Sequence, residues 1–245
     1  MPIPEYVSAR IRTAYPDGCH VVLGSTPIVS FGDFQGAWVA TLGLNPSDRE
    51  FLSKDGWLSE GERRLETLQS LRLTSLTEAS DDDVERIVRA CAAYFHRNPY
   101  MTWFGSLDKL LTQSLGVSYH SGEAVHLDLV QWATTPVWGD IKSKQVRSRL
   151  IDQDREFLRA QLASEGIRLV LMNGRRVMSE VEAMNIPLRH HAALVGGKSS
   201  KDEIRVGAYQ GTTYIGWNRY IPTGGMSTPQ RAQIADTIAQ WPAIT

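Results

Sequence analysis

The pattern of apolar and polar residues predicts strands and helices that alternate along the chain. Three apolar runs have strand character, at 37–44, 124–130 and 167–172, and polar, turn-prone residues follow each of them. The segment 205–217 is less apolar and rich in Gly and Tyr, which is typical of an edge strand or a hairpin. These segments are the strand candidates of the fold.

Apolar residues at helical spacing predict helices between these strands. The clearest one begins after Ser80, because a hydroxyl cap is followed by three aspartates that suit the positive end of a helix dipole. Ser227 and Thr228, followed by a proline in the first turn, predict the start of the last helix. Further helical patterns lie at 62–71, 104–115, 150–163 and 175–184.

This alternation predicts an α/β fold. Helices of ten or more residues between strands indicate parallel crossover connections. We therefore expect a central, mainly parallel four-stranded sheet with helices on both faces. One domain is expected over residues 1–245, with residues 1–28 as an N-terminal extension packed on it.

Composition and charge argue against several classes of protein. The chain has 245 residues, with 26 Lys and Arg against 27 Asp and Glu, which argues against non-specific coating of nucleic acid. No apolar run approaches the ~20 residues that cross a bilayer, and 1–12 lacks the apolar stretch of a secretory signal. Two cysteines, Cys19 and Cys91, cannot build a disulfide framework or an iron–sulfur cluster. We expect a cytoplasmic monomer without a membrane partner.

The sequence lacks the usual nucleotide and hydrolase motifs. In open parallel sheets, ligands bind beyond the carboxyl ends of the strands, so the residues after each strand are the candidates for a site. None of them forms a glycine-rich phosphate loop, a nucleophile elbow or a zinc deaminase motif. The positions after the predicted strands carry amide, carboxylate and hydroxyl side chains instead.

Two segments resemble motifs of the uracil-DNA glycosylase superfamily. The segment 43–47, Gly-Leu-Asn-Pro-Ser, is similar to the first active-site motif, which reads Gly-x-Asn-Pro-Gly in the mismatch-uracil and single-strand-selective branches. The segment 221–227 is less closely similar to the second motif, and it precedes the last helix as in that superfamily. Two departures stand out: Ser47 replaces the usual glycine, and Ile221 replaces a histidine that supports the leaving base in many members.

The resemblance implies that Asn45 is the catalytic residue. In such an enzyme the nucleotide is flipped out of the DNA, and a positioned water adds to the sugar as the base departs. An amide is a poor base, but it can orient a water that attacks an oxocarbenium-like centre. The structural alternative is an Asn that stabilises a turn before Pro46.

Asp128, at the end of the second strand, corresponds to a position where the superfamily often has an Asn that reads uracil. An ionised carboxylate only accepts hydrogen bonds, so it suits the amino group of cytosine better than the O4 of uracil. The hypothesis is therefore that the excised base is a cytosine or a modified cytosine. The alternative is an Asp that caps a turn or pairs with an Arg.

Further site residues follow from the resemblance and from their places at strand ends and helix starts. Phe51 is a candidate for stacking on the flipped base, with packing under the loop as the alternative, and Asn173 is a candidate base or backbone contact, with a turn role as its alternative. The expected base-binding set is Leu44, Phe51, Asp128 and Asn173. The expected DNA-binding set is Ser47, Arg175, Tyr220, Thr223, Gly225, Met226, Ser227 and Thr228.

The resulting prediction is a monofunctional DNA glycosylase that needs no metal or cofactor. Its base is a modified cytosine of the kind that some phages carry, which would make it a defence enzyme, or uracil in a mismatch, which would make it a repair enzyme. A non-catalytic nucleic-acid-binding protein with the same fold and an α/β enzyme acting on a free nucleoside are the alternatives.

Overall fold

A computed structural model describes residues 2–164, 166–197, 202–221 and 226–241. The chain divides into two compact units. The first comprises the chain up to Asp33, Leu44–Tyr100 and Asp128–Leu162. The second comprises Phe34–Gly43, Met101–Leu127 and the chain from Ala163 onward.

The first unit is mainly helical. Its α-helices are α1 (Glu5–Ile11), α2 (Leu68–Leu71), α3 (Asp81–Ala92) and α5 (Lys144–Leu162), and its one hairpin pairs β2 (Leu52–Ser53) with β3 (Gly56–Trp57). Helix α1 packs against both α3 and α5. Short 3-10 turns connect these elements, at Asp48–Glu50, Glu60–Glu62, Leu76–Glu78, Tyr94–His96 and Trp138–Asp140.

The second unit is built on a six-stranded sheet. Its strands are β1 (Val39–Gly43), β4 (Ala124–Asp128), β5 (Leu169–Asn173), β6 (Arg189–Ala193), β7 (Glu203–Tyr209) and β8 (Thr212–Trp217), in the order β4-β1-β5-β8-β7-β6. The pairs β1–β5 and β5–β8 are parallel, whereas β8–β7 and β7–β6 are antiparallel. The helices of this unit are α4 (Met101–Leu115), α6 (Arg175–Ala183) and α7 (Thr228–Ala239).

Four strands of the sheet are buried along their whole length. Every residue of β1, β4, β5 and β8 is buried, as expected for strands covered on both faces. Polar side chains inside this layer are hydrogen-bonded. Thr41 on β1 lies 2.6 Å from the hydroxyl of Tyr119 and 2.8 Å from Nδ1 of His126 on β4.

The expected four-stranded sheet is wrong in its strand count, since two further strands extend it. The segment 205–217 forms both β7 and β8, because Gln210 and Gly211 adopt positive φ angles of 50° and 82° and turn the chain back. Strand β6 is largely exposed and carries no alternating apolar pattern, so its sequence gave no strand signal. The α/β class and the parallel core are confirmed, while helices on both faces of the sheet stay a prediction.

Candidate functional site

The loop after β1 carries Asn45 and is shaped by two local interactions. Strand β1 ends at Gly43, and Pro46, which has a fixed φ angle and no backbone N–H to donate, cannot take part in a continued strand. Ser47 then caps the 3-10 turn Asp48–Glu50, because its hydroxyl accepts a hydrogen bond from the backbone N–H of Arg49 at 3.1 Å. Leu44 and Asn45 are half-buried in this loop.

The carboxamide of Asn45 has a defined orientation. Its Nδ2 donates to the backbone carbonyl of Pro46 at 2.9 Å, to Oγ1 of Thr134 at 3.0 Å and, more weakly, to the carbonyl of Trp132 at 3.4 Å. Two of these partners are carbonyl oxygens that can only accept, so the nitrogen must face them. Within the part of the chain that the structure describes, Oδ1 receives no hydrogen bond, and this acceptor remains available to a water molecule.

Asp128 is the last residue of β4 and is only 6% exposed. Its backbone carbonyl accepts a hydrogen bond from the side-chain Nε2 of Gln131 at 2.9 Å, which tightens the turn after the strand. Its charge also acts on Glu50, since it contributes to raising the pKa of that carboxyl. Asp128 and the loop that carries Asn45 therefore belong to one electrostatic environment within the first unit.

Glu50 is a buried carboxyl that the sequence did not single out. Burial raises its pKa to about 7, while the hydrogen bond from Tyr94 and the charge of Arg64 lower the pKa and Asp128 raises it. The hydroxyl of Tyr94 donates to Oε2 of Glu50 at 2.6 Å and accepts from the backbone N–H of Tyr100 at 2.9 Å. In sequence Glu50 stands in a run of charged residues typical of an exposed turn, so its burial had no local signal.

Phe51 lies under the loop rather than in an open position. Its side chain is 2% exposed, and its ring packs edge-on against Trp57 with centroids 6.2 Å apart. This buried position agrees with the alternative interpretation of Phe51, in which the ring packs under the loop and does not stack on a base. The aromatic residue that does reach solvent here is Trp57, which is 44% exposed on the β2–β3 hairpin.

Asn173, at the end of β5 in the second unit, is completely buried. Its Oδ1 accepts hydrogen bonds from the indole N–H of Trp217 at 3.0 Å and from the backbone N–H of Ile221 at 2.9 Å, and its buried Nδ2 has no partner among the described residues. The side chain therefore ties β5 to β8 and to the turn that follows it. A contact with a base would require this buried amide to become accessible.

The remaining predicted DNA contacts of the second unit lie around α6 and α7. Arg175 is exposed in the first turn of α6. The preceding residue, Gly174, has a φ angle of 110°, and a Cβ atom at this position would lie 2.9 Å from the ring of Tyr220. Tyr220 also packs against Trp103, with ring centroids 5.1 Å apart.

The start of α7 is capped as its sequence predicts. The hydroxyl of Ser227 accepts from the backbone N–H of Gln230 at 3.4 Å, while the Gln230 side chain accepts from the backbone N–H of Ser227 at 3.0 Å. Thr228 is exposed, whereas Met226 is buried and would have to move to reach DNA. Thr223 and Gly225 lie outside the described residues.

The described ranges contain neither a cluster of metal ligands nor a helix that could span a membrane. There, no three His, Cys, Asp or Glu side chains are grouped as metal ligands, and no helix has the length and apolar character that crossing a bilayer requires. Comparison with known proteins adds no relationship: no family model and no curated protein matches the chain.

Proposed function

We propose that the protein is a monofunctional DNA glycosylase in which Asn45 orients the attacking water. The observation that carries the proposal is the orientation of the Asn45 carboxamide. Its nitrogen is held by three acceptors, so Oδ1 keeps a fixed direction and is free to accept a hydrogen bond from water. A fixed acceptor is what a weakly basic group needs in order to place a nucleophile.

The chemistry assigned to this arrangement is hydrolysis of an N-glycosidic bond. The water oxygen forms a bond to the sugar C1′ as the bond to the base nitrogen breaks, and the electron pair departs with the base. One water proton is released to the leaving base or to solvent. Because positive charge develops on the sugar, the water requires orientation more than full deprotonation, which suits an amide at position 45.

Asp128 is the proposed reader of the base. Its carboxylate can accept a hydrogen bond from an exocyclic amino group, which cytosine has and uracil lacks. The buried position of Asp128 favours discrimination, since a desolvated acceptor that meets the O4 of uracil leaves two acceptors facing each other. The proposed substrate is therefore a flipped cytosine or modified cytosine in DNA.

The test uses oligonucleotides that contain uracil, mismatched thymine, cytosine or a modified cytosine. The protein is incubated with each one, and alkali then cleaves the strand wherever an abasic site has formed. We expect cleavage at a modified cytosine, and its loss in Asn45→Ala. Asn98→Ala is the matched control, because the side chain of Asn98 is exposed and donates to the backbone carbonyl of Glu62 at 2.9 Å.

Three other outcomes would count against the proposal. Cleavage that survives in Asn45→Ala would remove the assigned role of Asn45. Cleavage at uracil alone would remove the assigned role of Asp128 and favour a repair enzyme. Binding of the oligonucleotides without cleavage of any of them would favour a non-catalytic nucleic-acid-binding protein.

A further inference from the structure

A buried ion pair in the first unit lies behind the segment that holds Asn45. Arg10 of α1 and Asp154 of α5 approach within 2.9 Å, with side chains 5% and 0% exposed. The guanidinium of Arg10 also lies over the ring of Trp132, 4.6 Å from its centroid. The pair therefore brings the N-terminal helix and α5 together against the segment 131–134.

Both partners of the pair also contact Gln131 directly. The Oδ2 of Asp154 accepts from the backbone N–H of Gln131 at 2.8 Å, and Nε of Arg10 donates to the side-chain Oε1 of Gln131 at 3.3 Å. The Nε2 of the same Gln131 side chain donates to the backbone carbonyl of Asp128. Gln131 is thus fixed at its main chain and at both ends of its amide.

The segment 131–134 carries two of the three acceptors of the Asn45 amide. These are the carbonyl of Trp132 and the hydroxyl of Thr134, and Thr134 also bridges to Ser47 in the loop after β1. The N-terminal stretch adds backbone hydrogen bonds along the segment, from Val22 to the carbonyl of Ala133 at 3.0 Å and from Ile28 to that of Gln131 at 2.8 Å. A continuous set of contacts thus links the ion pair to Asn45.

Burying this ion pair costs free energy, because both charged groups lose their contact with water. Burial raises the pKa of Asp154 even though Arg10 and the N–H of Gln131 lower it. The two charged groups are close, but within the described ranges Nη1 of Arg10 is buried without a hydrogen-bond partner. Apolar residues of similar volume often match or exceed the stability of such a pair, so stability alone does not account for it.

We propose that Arg10 and Asp154 are positioning residues that fix the Asn45 carboxamide through the segment 131–134. The effect of this pair on the rate of base excision rests on the proposed function, whereas its effect on the orientation of the Asn45 amide does not. Removal of the pair releases the main chain of Gln131 from α5. The acceptors at Trp132 and Thr134 then shift, and Oδ1 of Asn45 no longer keeps one direction.

The test measures the amide itself. In ¹⁵N-labelled protein, the side-chain amide signal of Asn45 is assigned by its disappearance in Asn45→Asp. The double variant Arg10→Met/Asp154→Leu replaces both charges by apolar side chains. We expect its Asn45 amide protons to exchange with water about tenfold faster than in the unaltered protein, as on loss of one hydrogen bond. If the protein excises a base, kcat falls by a similar factor with KM nearly unchanged.

Two further variants keep the experiment decisive. Arg89→Ala/Glu85→Ala removes an exposed ion pair on α3 and should leave the exchange rate unchanged. If the apolar double variant does not fold, Gln131→Met removes both side-chain hydrogen bonds of Gln131 without unpairing a charge, and it should also speed exchange. Unchanged exchange in a folded variant of Arg10 and Asp154, or of Gln131, would overturn the proposal. Absence of glycosylase activity would instead overturn only the proposed function.

Discussion

The Nδ2 of Asn45 donates to Oγ1 of Thr134 at 3.0 Å, across 89 positions of the sequence. Thr134 is fully buried and forms isolated bridges with Val21 and Ser47. The residue assigned to catalysis is thus held by a hydroxyl that lies in a different loop. The orientation of the Asn45 carboxamide therefore depends on how these separate segments of the first unit pack together.

Thr134→Val tests this contact with little change in volume. The variant removes the acceptor, so we expect the rate of base excision to fall about tenfold, the value of one hydrogen bond, with a smaller effect on KM. Thr134→Ser keeps the hydroxyl and should retain most of the activity. Equal rates in the valine and serine variants would show that the hydroxyl does not position Asn45.

Asp128→Asn tests how the base is read. The amide adds a donor that can meet the O4 of uracil, and its nitrogen opposes the amino group of cytosine. We expect release of uracil to rise and release of the cytosine-type base to fall, as measured with matched oligonucleotides. If the ratio of the two rates does not change, Asp128 does not read the base.

Glu50→Gln tests the buried carboxyl through the pH dependence of stability. Burial raises the pKa of Glu50 to about 7 from its ordinary value of 4.5. Below about 4.5 the group is protonated in both the folded and the unfolded state, so it contributes no pH dependence. Between 4.5 and 7 the unfolded state ionises first, and the folded state loses stability as pH rises, until the full penalty is reached above 7.

The expected result is a difference in melting temperature that grows with pH. Gln can still accept a hydrogen bond from Tyr94 but carries no charge, so Glu50→Gln should gain stability over the unaltered protein between pH 4.5 and 7 and keep that gain at higher pH. Glu60→Gln, on an exposed turn, is the control and should show no such trend. A pH-independent difference for Glu50→Gln would mean that the buried carboxyl does not titrate in this range.

Asn173→Leu tests the structural role of the buried amide in the second unit. The change leaves the indole N–H of Trp217 and the backbone N–H of Ile221 without an acceptor. Two unsatisfied buried donors should lower the free energy of unfolding by about 2–4 kcal/mol, measured by urea denaturation. A loss below about 0.5 kcal/mol would show that water or a rearranged neighbour replaces this acceptor.

Several parts of the fold were predictable because their signals are local. The run at 37–44 contains β1, and the caps at Ser80 and Ser227 mark the starts of α3 and α7. Strand β6 and the β2–β3 hairpin were missed, because short or exposed strands have no alternating apolar pattern. Strand β6 pairs with β7 and β2 with β3, and neither pairing leaves a recognisable pattern in the residues of a single strand.

The candidate site could be inferred only where its signals are local, and the roles assigned to its residues stay predictions. Asn45 stands out because a short motif contains it, and Asp128 because it ends a strand. Glu50 was missed, since it is buried against residues such as Tyr94, its hydrogen-bond donor 44 positions away, and neither the burial of Phe51 nor that of Met226 could be read from neighbouring residues. A motif indicates which residues carry chemistry, whereas the orientation of each side chain is decided by tertiary packing.

Mass spectrometry of the free base released from DNA that contains a modified cytosine tests whether the protein excises that base with the help of Asn45. We expect release of the intact modified base by the unaltered protein, and a rate at least about 10²-fold lower for Asn45→Ala, the usual scale for loss of a positioned catalytic group. Equal release by Asn45→Ala, or no release from any oligonucleotide by the folded protein, would contradict this expectation.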